Sequence, residues 1–221
     1  MTTTKPLKAT TPRWKKLARR LLPAGVQERI KEFRELSSSA ARRAHLRATF
    51  TRLVGTPAAI PRDLQADDTI LFVCHGNIIR SALAAELTRH HAKQLGLACD
   101  GVMSGGVFAK AGREADRRAV SAGANLGIDL SAHRAQPLTT PLIERASVVY
   151  VMDRLNEAEL VARFPAAQSK LRRLGAIAPD NGDDVIADPY VLDAAAVVAV
   201  AERIDRATRV LAKELAQRAG K

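Results

Sequence analysis

Cysteine and aromatic residues are scarce in this 221-residue chain. It has two cysteines, Cys74 and Cys99, and only 4% of its residues are Phe, Trp or Tyr. Two cysteines exclude a disulfide framework and a four-thiolate zinc site, whereas a free thiol in a reducing compartment can serve as a nucleophile. With few aromatic side chains for base stacking and no nucleic-acid motif, we expect no specific nucleic-acid partner.

Long apolar runs are lacking as well. No stretch of eighteen uncharged apolar residues occurs, and no compact apolar segment with a small-residue cleavage site stands at the N-terminus. We therefore expect neither a membrane-spanning helix nor a signal peptide, and we predict a cytoplasmic protein. With 47% hydrophobic residues, the chain is long enough for one well-filled core and an appendage of roughly sixty residues.

Positive charge is abundant but unevenly placed. Residues 1–65 hold fifteen Lys and Arg against four Asp and Glu, a surplus of eleven within a net charge of +12. We therefore predict a basic, partly helical N-terminal extension and linker at 1–65 and a catalytic domain at 66–221. Apolar residues recur at three- and four-residue steps between Trp14 and Leu53, which predicts two basic amphipathic helices. These helices would suit an anionic membrane surface, or would pack on their own domain or on a second subunit.

From Thr69 onward, predicted strands alternate with predicted helices. The run Ile70–Val73 is short and apolar, which is typical of a strand buried on both faces of a parallel sheet. Further strands are predicted at 101–104, 146–152 and 170–174, and helices at 80–96, 114–126, 154–162 and 194–217. This repeat predicts an α/β fold of the flavodoxin-like kind, a four-stranded parallel sheet with helices on both faces and a site at the carboxyl ends of the strands.

A short loop joins the first of these strands to the helix that follows it. Its residues are Cys74, His75, Gly76, Asn77, Ile78, Ile79, Arg80 and Ser81. Such a loop can turn its N–H groups around a tetrahedral anion, and the positive end of the helix dipole adds to the same point. Gly and Asn tolerate the left-handed backbone angles that a tight concave loop requires. The pattern predicts a phosphate-binding loop.

Cys74 and Arg80 would supply the reactive groups of this loop. The amide dipoles and Arg80 favour a thiolate at Cys74, which is the form that attacks phosphorus. Arg80 offers planar paired donors for two phosphoryl oxygens, and Ser81 can donate a hydrogen bond to the sulfur. A cysteine and an arginine at this spacing also occur by chance, so the alternative is a buried strand-end cysteine and a surface arginine. The strand before, the Gly and Asn inside and the helix beyond favour the reactive interpretation.

Several ordered motifs resemble those of one family. The segment Val73–Ser81 is similar to the signature loop of the low-molecular-weight protein tyrosine phosphatases, and Ala187–Tyr190 resembles their distal acid motif. Between these two, Ser104–Gly106, Asp116–Val120 and Gly127–Ala135 follow the family in order and approximate spacing. The resemblance extends from about Thr69 to the C-terminus.

The resemblance implies a hydrolase that removes phosphate from tyrosine in proteins through a cysteinyl-phosphate, with no cofactor and no metal. Cys74 would be the nucleophile, Arg80 the clamp on the transition state and Ser81 the partner of the thiolate. Asp188 would give a proton to the leaving oxygen and then take one from water. Without the resemblance, an Asp before a proline is more typical of a turn.

The resemblance also assigns supporting residues. His75 to Arg80 would bind the phosphate, and Asn77 would hold the loop through hydrogen bonds with Ser104 and His133. Phe108 and Tyr190 are candidates for aromatic walls of a substrate cleft, with core or surface packing as the alternative. His75, His90 and His91 are expected to be solvated.

The chain departs from the family at two positions, and two other functions are alternatives for it. Ile79 stands where the family usually has a second cysteine, and Ala82 replaces the usual proline. An arsenate reductase of the same fold would need a resolving thiol, and only Cys99 is available. The other alternative is a phosphate-binding scaffold tethered to a membrane by the basic extension.

Overall fold

The computed structural model of the protein describes residues 24–54 and 58–220. The chain divides into two compact units, residues 1–35 and 36–221, and the division at residue 65 stays a prediction. The helical period predicted from Trp14 to Leu21 and most of the predicted linker at 55–57 lie outside the described residues. None of the helices in the described ranges has both the length and the apolar character that a membrane crossing requires.

The first unit contributes one described helix, α1 (Ala24–Glu35). Lys31 and Glu35 lie one turn apart on this helix, with Nζ 3.9 Å from Oε1 on exposed side chains. A pair of this kind stabilises a helix by only a few tenths of a kcal/mol, on the order of 0.3. Arg34 in the last turn is also favourably placed near the negative end of the helix dipole.

The second unit contains the remaining helices and strands. In chain order they are α2 (Ser39–Val54), β1 (Ile70–Cys74), α3 (Arg80–Gln94), β2 (Val102–Gly106), α4 (Arg117–Asn125), α5 (Thr140–Arg145), β3 (Val148–Val151), α6 (Arg154–Arg163), β4 (Leu171–Arg173) and α7 (Ala194–Arg218). Two 3₁₀ turns, Pro165–Lys170 and Leu174–Ala176, flank β4.

The sheet is four-stranded with the order β2-β1-β3-β4, and all three strand pairs are parallel. The predicted fold class is thereby confirmed. Side chains of β1 alternate between two cores: Phe72 packs in one cluster with α3, α4 and α7, and Leu71 and Val73 pack in a second cluster with α5 and α6. Because both faces are covered, the strand is apolar throughout, as its sequence predicted.

Strand pairing brings several loops to one edge of the sheet. Cys74, the last residue of β1, lies opposite Gly106 of β2, and Val73 lies opposite Val151 of β3. The segments that follow β1, β2 and β3 therefore meet beyond the carboxyl ends of the strands, where parallel sheets usually bind ligands.

Some predicted boundaries were wrong. Helix α4 begins at Arg117 rather than at Glu114, because Asp116 has extended backbone angles and caps the helix through Arg118 N. Strand β2 continues to Gly106 instead of ending at Ser104. The short helix α5 was not predicted; Thr139 caps it by accepting a hydrogen bond from Leu142 N.

Helix α2 packs along α6 within the second unit. Just before α2, Ser37 donates from N and Oγ to the two carboxylate oxygens of Glu159, at 2.5 and 2.6 Å. Ala41 and His45 are buried, whereas Arg42, Arg43 and Arg47 are exposed. One side of α2 therefore docks on the domain and the other presents positive charge to solvent.

Candidate active site

The segment between β1 and α3, residues 74–81, is called the phosphate loop below. Cys74 Sγ lies 3.0 Å from Ser81 Oγ, and Asn77 N donates to the same sulfur at 3.2 Å. The Ser81 hydroxyl has one proton, which it can direct to this sulfur or to the Gly105 carbonyl 3.3 Å away. Both contacts therefore place a hydrogen-bond donor against the sulfur.

Asn77 holds the loop in shape. It has φ of 52°, a left-handed angle that Asn tolerates better than most residues. Its side-chain Nδ2 donates to Ser104 Oγ and Ser81 Oγ, both at 2.9 Å. His133 Nε2 lies 2.7 Å from the Asn77 carbonyl oxygen. The structure thus places Ser104 and His133 against Asn77, although His133 contacts its backbone rather than its side chain.

Two glycines, Gly76 and Gly106, lie at the phosphate loop and differ in whether the backbone needs glycine there. Gly76 does not adopt a left-handed backbone angle, so the conformational freedom predicted for it is not used. Gly106 at the end of β2 does require glycine: an added Cβ would lie 2.8 Å from Asn77 N and 2.9 Å from the Gly76 carbonyl carbon. Because backbone atoms cannot give way as a flexible side chain can, Gly106 lets β2 approach the phosphate loop closely.

Arg80 is only 1% exposed and is held by two carboxylates. One terminal nitrogen lies 2.5 Å from Asp153 Oδ2 and 3.1 Å from the Ile186 carbonyl oxygen, and the other is hydrogen-bonded to Asp188 Oδ2. Burial alone would lower the pKa of Arg80, but the charges of Asp153, Asp188 and Cys74 outweigh it and raise the pKa. The guanidinium is therefore a fixed positive charge beside the cysteine.

Asp188 is more accessible than Arg80. Its side chain is 41% exposed, and its other oxygen, Oδ1, accepts a hydrogen bond from Tyr190 N at 3.1 Å. The carboxylate is thus placed at the surface of the site, facing Arg80 on one side and solvent on the other. A proton donor to a leaving group needs this kind of access to both substrate and water.

These residues surround one cavity of about 260 Å³. It is lined by Cys74, His75, Gly76, Ile78, Ile79, Arg80, Phe108, Lys110, Arg113, Asp188 and Tyr190. The sequence-predicted catalytic residues thus meet around one space, with Ser81 directly behind Cys74. Its single carboxylate is that of Asp188, whereas the cations Arg80, Lys110 and Arg113 make the lining strongly positive.

Two aromatic side chains, Phe108 and Tyr190, contribute to the lining. The Phe108 ring stacks on the His75 ring, with ring centroids 4.8 Å apart. The Arg163 guanidinium lies over the Phe108 ring, 4.1 Å from its centroid, in a cation–π contact. Tyr190 is 48% exposed, and Arg113 donates to its hydroxyl at 3.3 Å. Both predicted wall residues therefore lie on the cavity, one fixed between two neighbours and one largely open to solvent.

Sequence reasoning missed several participants. Asp153, which is ion-paired with Arg80, follows β3 at the carboxyl edge of the sheet. This position, next to the predicted site, is the feature of the sequence that could have identified it. Gln136 N donates to Asn77 Oδ1 at 2.8 Å, a backbone contact that leaves no trace in residue type. Lys110 and Arg113 line the cavity but could not be distinguished in sequence from other surface cations.

Two side chains with reactive potential lie elsewhere. His91, expected in solvent, is buried, and its Nε2 is 2.7 Å from Asp205 Oδ1, which ties α3 to α7. Cys99 does not line the cavity, and burial, followed by the nearby charge of Asp100, raises the pKa of its thiol. Among residues 24–54 and 58–220, no group of three His, Cys, Asp or Glu could hold a metal ion.

Comparison with known proteins gives a consistent result. The sequence model of the family described as low molecular weight phosphotyrosine protein phosphatase matches residues 69–220. A probable low molecular weight protein-tyrosine-phosphatase, EpsP from Ralstonia nicotianae, is 41% identical over 138 residues, covering 62% of this chain and 89% of the relative. A protein-arginine-phosphatase from Bacillus subtilis is 32% identical over 146 residues, covering 66% of this chain and 95% of the relative.

Solved structures agree with these sequence relatives. The tyrosine phosphatase Wzb from Escherichia coli K30, in complex with sulphate, is similar with a TM-score of 0.61 and 26% identity. The similarity covers 67% of this chain and 99% of that structure.

Proposed function

The chain belongs to the low molecular weight phosphotyrosine protein phosphatase family, and from this premise we propose that it hydrolyses phosphotyrosine in proteins through a covalent phosphate on Cys74. The observation that carries the proposal is the meeting of three groups around one cavity: the Cys74 sulfur, the buried Arg80 guanidinium and the accessible Asp188 carboxyl. This set supplies a nucleophile, an anion clamp and a proton donor.

The proposed reaction has two steps. The Cys74 thiolate attacks phosphorus and the P–O bond to the tyrosine breaks, while Asp188 transfers its proton to the departing phenolic oxygen. Water then attacks the cysteinyl-phosphate, the P–S bond breaks, and Asp188 takes a proton from that water. Arg80 and the amides of the phosphate loop bind the phosphoryl oxygens in both steps, and Ser81 donates to the sulfur as it leaves.

The cavity lining favours an aryl phosphate over a phosphoguanidine. Because two relatives are named protein-arginine-phosphatases, phosphoarginine is the substrate to compare. Its guanidino group would meet Lys110 and Arg113, and Asp188 is the one carboxylate in the lining. A phenyl ring can instead contact Phe108, Tyr190 and the apolar Ile78. We therefore expect kcat/KM to be higher on phosphotyrosine peptides than on phosphoarginine peptides.

The arsenate reductase alternative needs a thiol that can reach Cys74. Cys99 lies outside the cavity and its thiol pKa is raised by burial, so it is poorly suited to attack a bond at Cys74. Thiol-dependent arsenate reduction, measured beside aryl phosphate hydrolysis, separates the two reactions. We expect hydrolysis to exceed reduction.

The central experiment compares wild type with Cys74→Ser and Asp188→Asn on a phosphotyrosine peptide in the presence of a chelator. We expect no turnover by Cys74→Ser, and strongly slowed turnover or a trapped phospho-enzyme for Asp188→Asn. Matched controls are Cys99→Ser and the exposed Asp67→Asn, which should retain wild-type rates. Turnover by Cys74→Ser at the wild-type rate would refute a cysteinyl intermediate.

We further propose that the protein is cytoplasmic and that its basic extension, residues 1–65, associates it with an anionic membrane surface. Its support is the charge surplus of that segment and the exposed Arg42, Arg43 and Arg47 on α2, beside Leu46, which is 50% exposed. Each such cation near acidic lipid contributes about 1 kcal/mol to binding.

The full chain should sediment with vesicles that contain phosphatidylserine and not with neutral vesicles. The double substitution Arg42→Glu and Arg43→Glu should reduce the fraction that sediments. Equal sedimentation with both vesicle types would contradict the proposal.

A further inference from the structure

The phosphate loop and the segment that carries Asp188 are joined by a bridge formed by Asp116 and Arg118. We call residues 186–192 the acid loop. Asp116 N donates to the Ile78 carbonyl oxygen of the phosphate loop at 2.9 Å. The Arg118 guanidinium donates to the acid loop, to Leu192 O at 2.5 Å and to Tyr190 O at 3.0 Å. The bridge thus contacts both parts of the candidate active site.

The bridge itself is rigidly built. Arg118 Nε and one terminal nitrogen bind the two oxygens of Asp116 at 2.9 and 2.7 Å. Asp116 also accepts from Arg118 N at 2.9 Å as the cap of α4. A carboxylate that engages a planar guanidinium at two points fixes its direction as well as its position. The remaining donors of Arg118 are therefore aimed at the acid loop before any substrate binds.

Fixing Tyr190 and Leu192 fixes Asp188, because the acid loop is a tight turn. Leu192 N donates to Pro189 O at 3.0 Å, and Tyr190 N donates to Asp188 Oδ1 at 3.1 Å. Arg118 holds the carbonyl groups of two residues of this turn, Tyr190 and Leu192. A shift of the Arg118 guanidinium would therefore be transmitted to Asp188 within two or three residues.

The proposed reaction requires that Arg118 hold the acid loop in place. In the structure, Asp188 is also held by its ion pair with Arg80. When Arg80 directs its donors to a phosphoryl group, that ion pair must loosen, and Asp188 must turn its carboxyl toward the leaving oxygen. The acid loop then keeps the hydrogen bond from Arg80 to the Ile186 carbonyl oxygen at its start. Near its end, beyond Asp188, its backbone is held by the hydrogen bonds from Arg118 to Tyr190 O and Leu192 O.

We propose that Arg118 is a positioning residue that sets the distance between Asp188 and the scissile phosphate ester; the inference rests on the function proposed above. Neither Asp116 nor Arg118 lines the cavity, so Arg118 acts through Asp188 and does not touch substrate. Loss of Arg118 should therefore impair proton transfer to the leaving group while sparing attack by Cys74.

The test uses leaving groups of different basicity. 2,4-Dinitrophenolate departs without a proton, whereas phenolate and tyrosine depend on the acid. For Arg118→Ala we expect kcat/KM to fall about 10- to 100-fold on phenyl phosphate, as a displaced catalytic group allows, and less than about twofold on 2,4-dinitrophenyl phosphate. The matched control is Arg117→Ala, an exposed neighbour, which should change neither rate.

A conservative variant separates positioning from charge. Arg118→Lys keeps the positive charge but cannot bind a carboxylate at two points and two carbonyl groups together, so it should not restore phenyl phosphate hydrolysis. Thermal denaturation of each variant checks folding, and a folding defect would lower the rate on both substrates equally. Equal loss on both substrates, or no loss on either, would overturn the positioning role.

Asp188→Asn is the internal reference for the proposed function. If it too shows no dependence on the leaving group, the assignment of Asp188 as the acid fails. If Asp188→Asn is selectively slow on phenyl phosphate and Arg118→Ala is not, only the positioning role of Arg118 is refuted.

Discussion

Replacement of Asp153 should show how much its ion pair with the buried Arg80 contributes to stability. Asp153 Oδ2 lies 2.5 Å from Arg80, and its Oδ1 accepts from Asn156 N at 2.7 Å as the cap of α6. The side chains of Asp153 and Arg80 are 12% and 2% exposed. Asp153→Ala removes the ion pair and the cap together, whereas Asp153→Asn keeps a capping oxygen and removes the charge.

The magnitude follows from these two contacts. Breaking a buried ion pair costs about 3–5 kcal/mol, since the remaining charge stays buried without its partner. The lower end applies here, because Arg80 keeps Asp188 and the Ile186 carbonyl. A lost cap adds about 1 kcal/mol. We therefore expect the free energy of unfolding to fall by about 4 kcal/mol for Asp153→Ala and about 3 kcal/mol for Asp153→Asn.

Urea denaturation at pH 7 measures these losses, and Asp193→Ala is the matched control. Asp193 also caps a helix, accepting from Ala196 N at 2.9 Å, but it is exposed, so its loss should cost only about 1 kcal/mol. Equal destabilisation by Asp153→Ala and Asp193→Ala would refute the reasoning, because the ion pair would then contribute nothing. In the expected case, the KM for an aryl phosphate should also rise, since the guanidinium is less well oriented.

Three shorter predictions concern the loop and the core. Gly106→Ala should lower kcat/KM about 100-fold, because a Cβ 2.8 Å from Asn77 N displaces the phosphate loop; unchanged kinetics would contradict this. Burial raises the pKa of Tyr150 above its ordinary value, so the free energy of unfolding should decrease as the pH rises above about 10. In Tyr150→Phe this decrease should be smaller, and an equally steep decrease would show that Tyr150 is not its cause. Ile79→Cys should make peroxide inactivation reversible by thiols through a disulfide with Cys74, unlike wild type.

The phosphate loop could be predicted from sequence because its determinants are local. Cys74, Asn77 and Arg80 lie within seven residues, between a recognisable buried strand and a helix. A strand, a loop and a helix N-terminus in this order indicate an anion site from residues that are close together in the sequence. The left-handed angle at Asn77 likewise follows from residue type and turn geometry.

The partners of that loop could not be predicted in the same way. Asp153 reaches Arg80 because β3 pairs with β1. The two residues are 73 positions apart, and this spacing does not specify the strand pairing. Arg118 is one of 35 Lys and Arg in a chain with 23 Asp and Glu, so charge alone offers too many candidate pairs. Its hydrogen bonds to Tyr190 O and Leu192 O join residues 72 and 74 positions apart, and sequence spacing does not specify such contacts.

The two carboxylates on Arg80 therefore have different roles. Asp153 is 12% exposed and Asp188 41% exposed, so Asp153 can remain as the permanent counter-charge while Asp188 exchanges with a phosphoryl group. Because the incoming group is itself an anion, Arg80 is never left buried without compensation. In the proposed reaction, the exchange frees Asp188 from Arg80, and the freed carboxylate takes up a proton from solvent before it acts as the acid. The acid loop then needs an attachment that the exchange does not break.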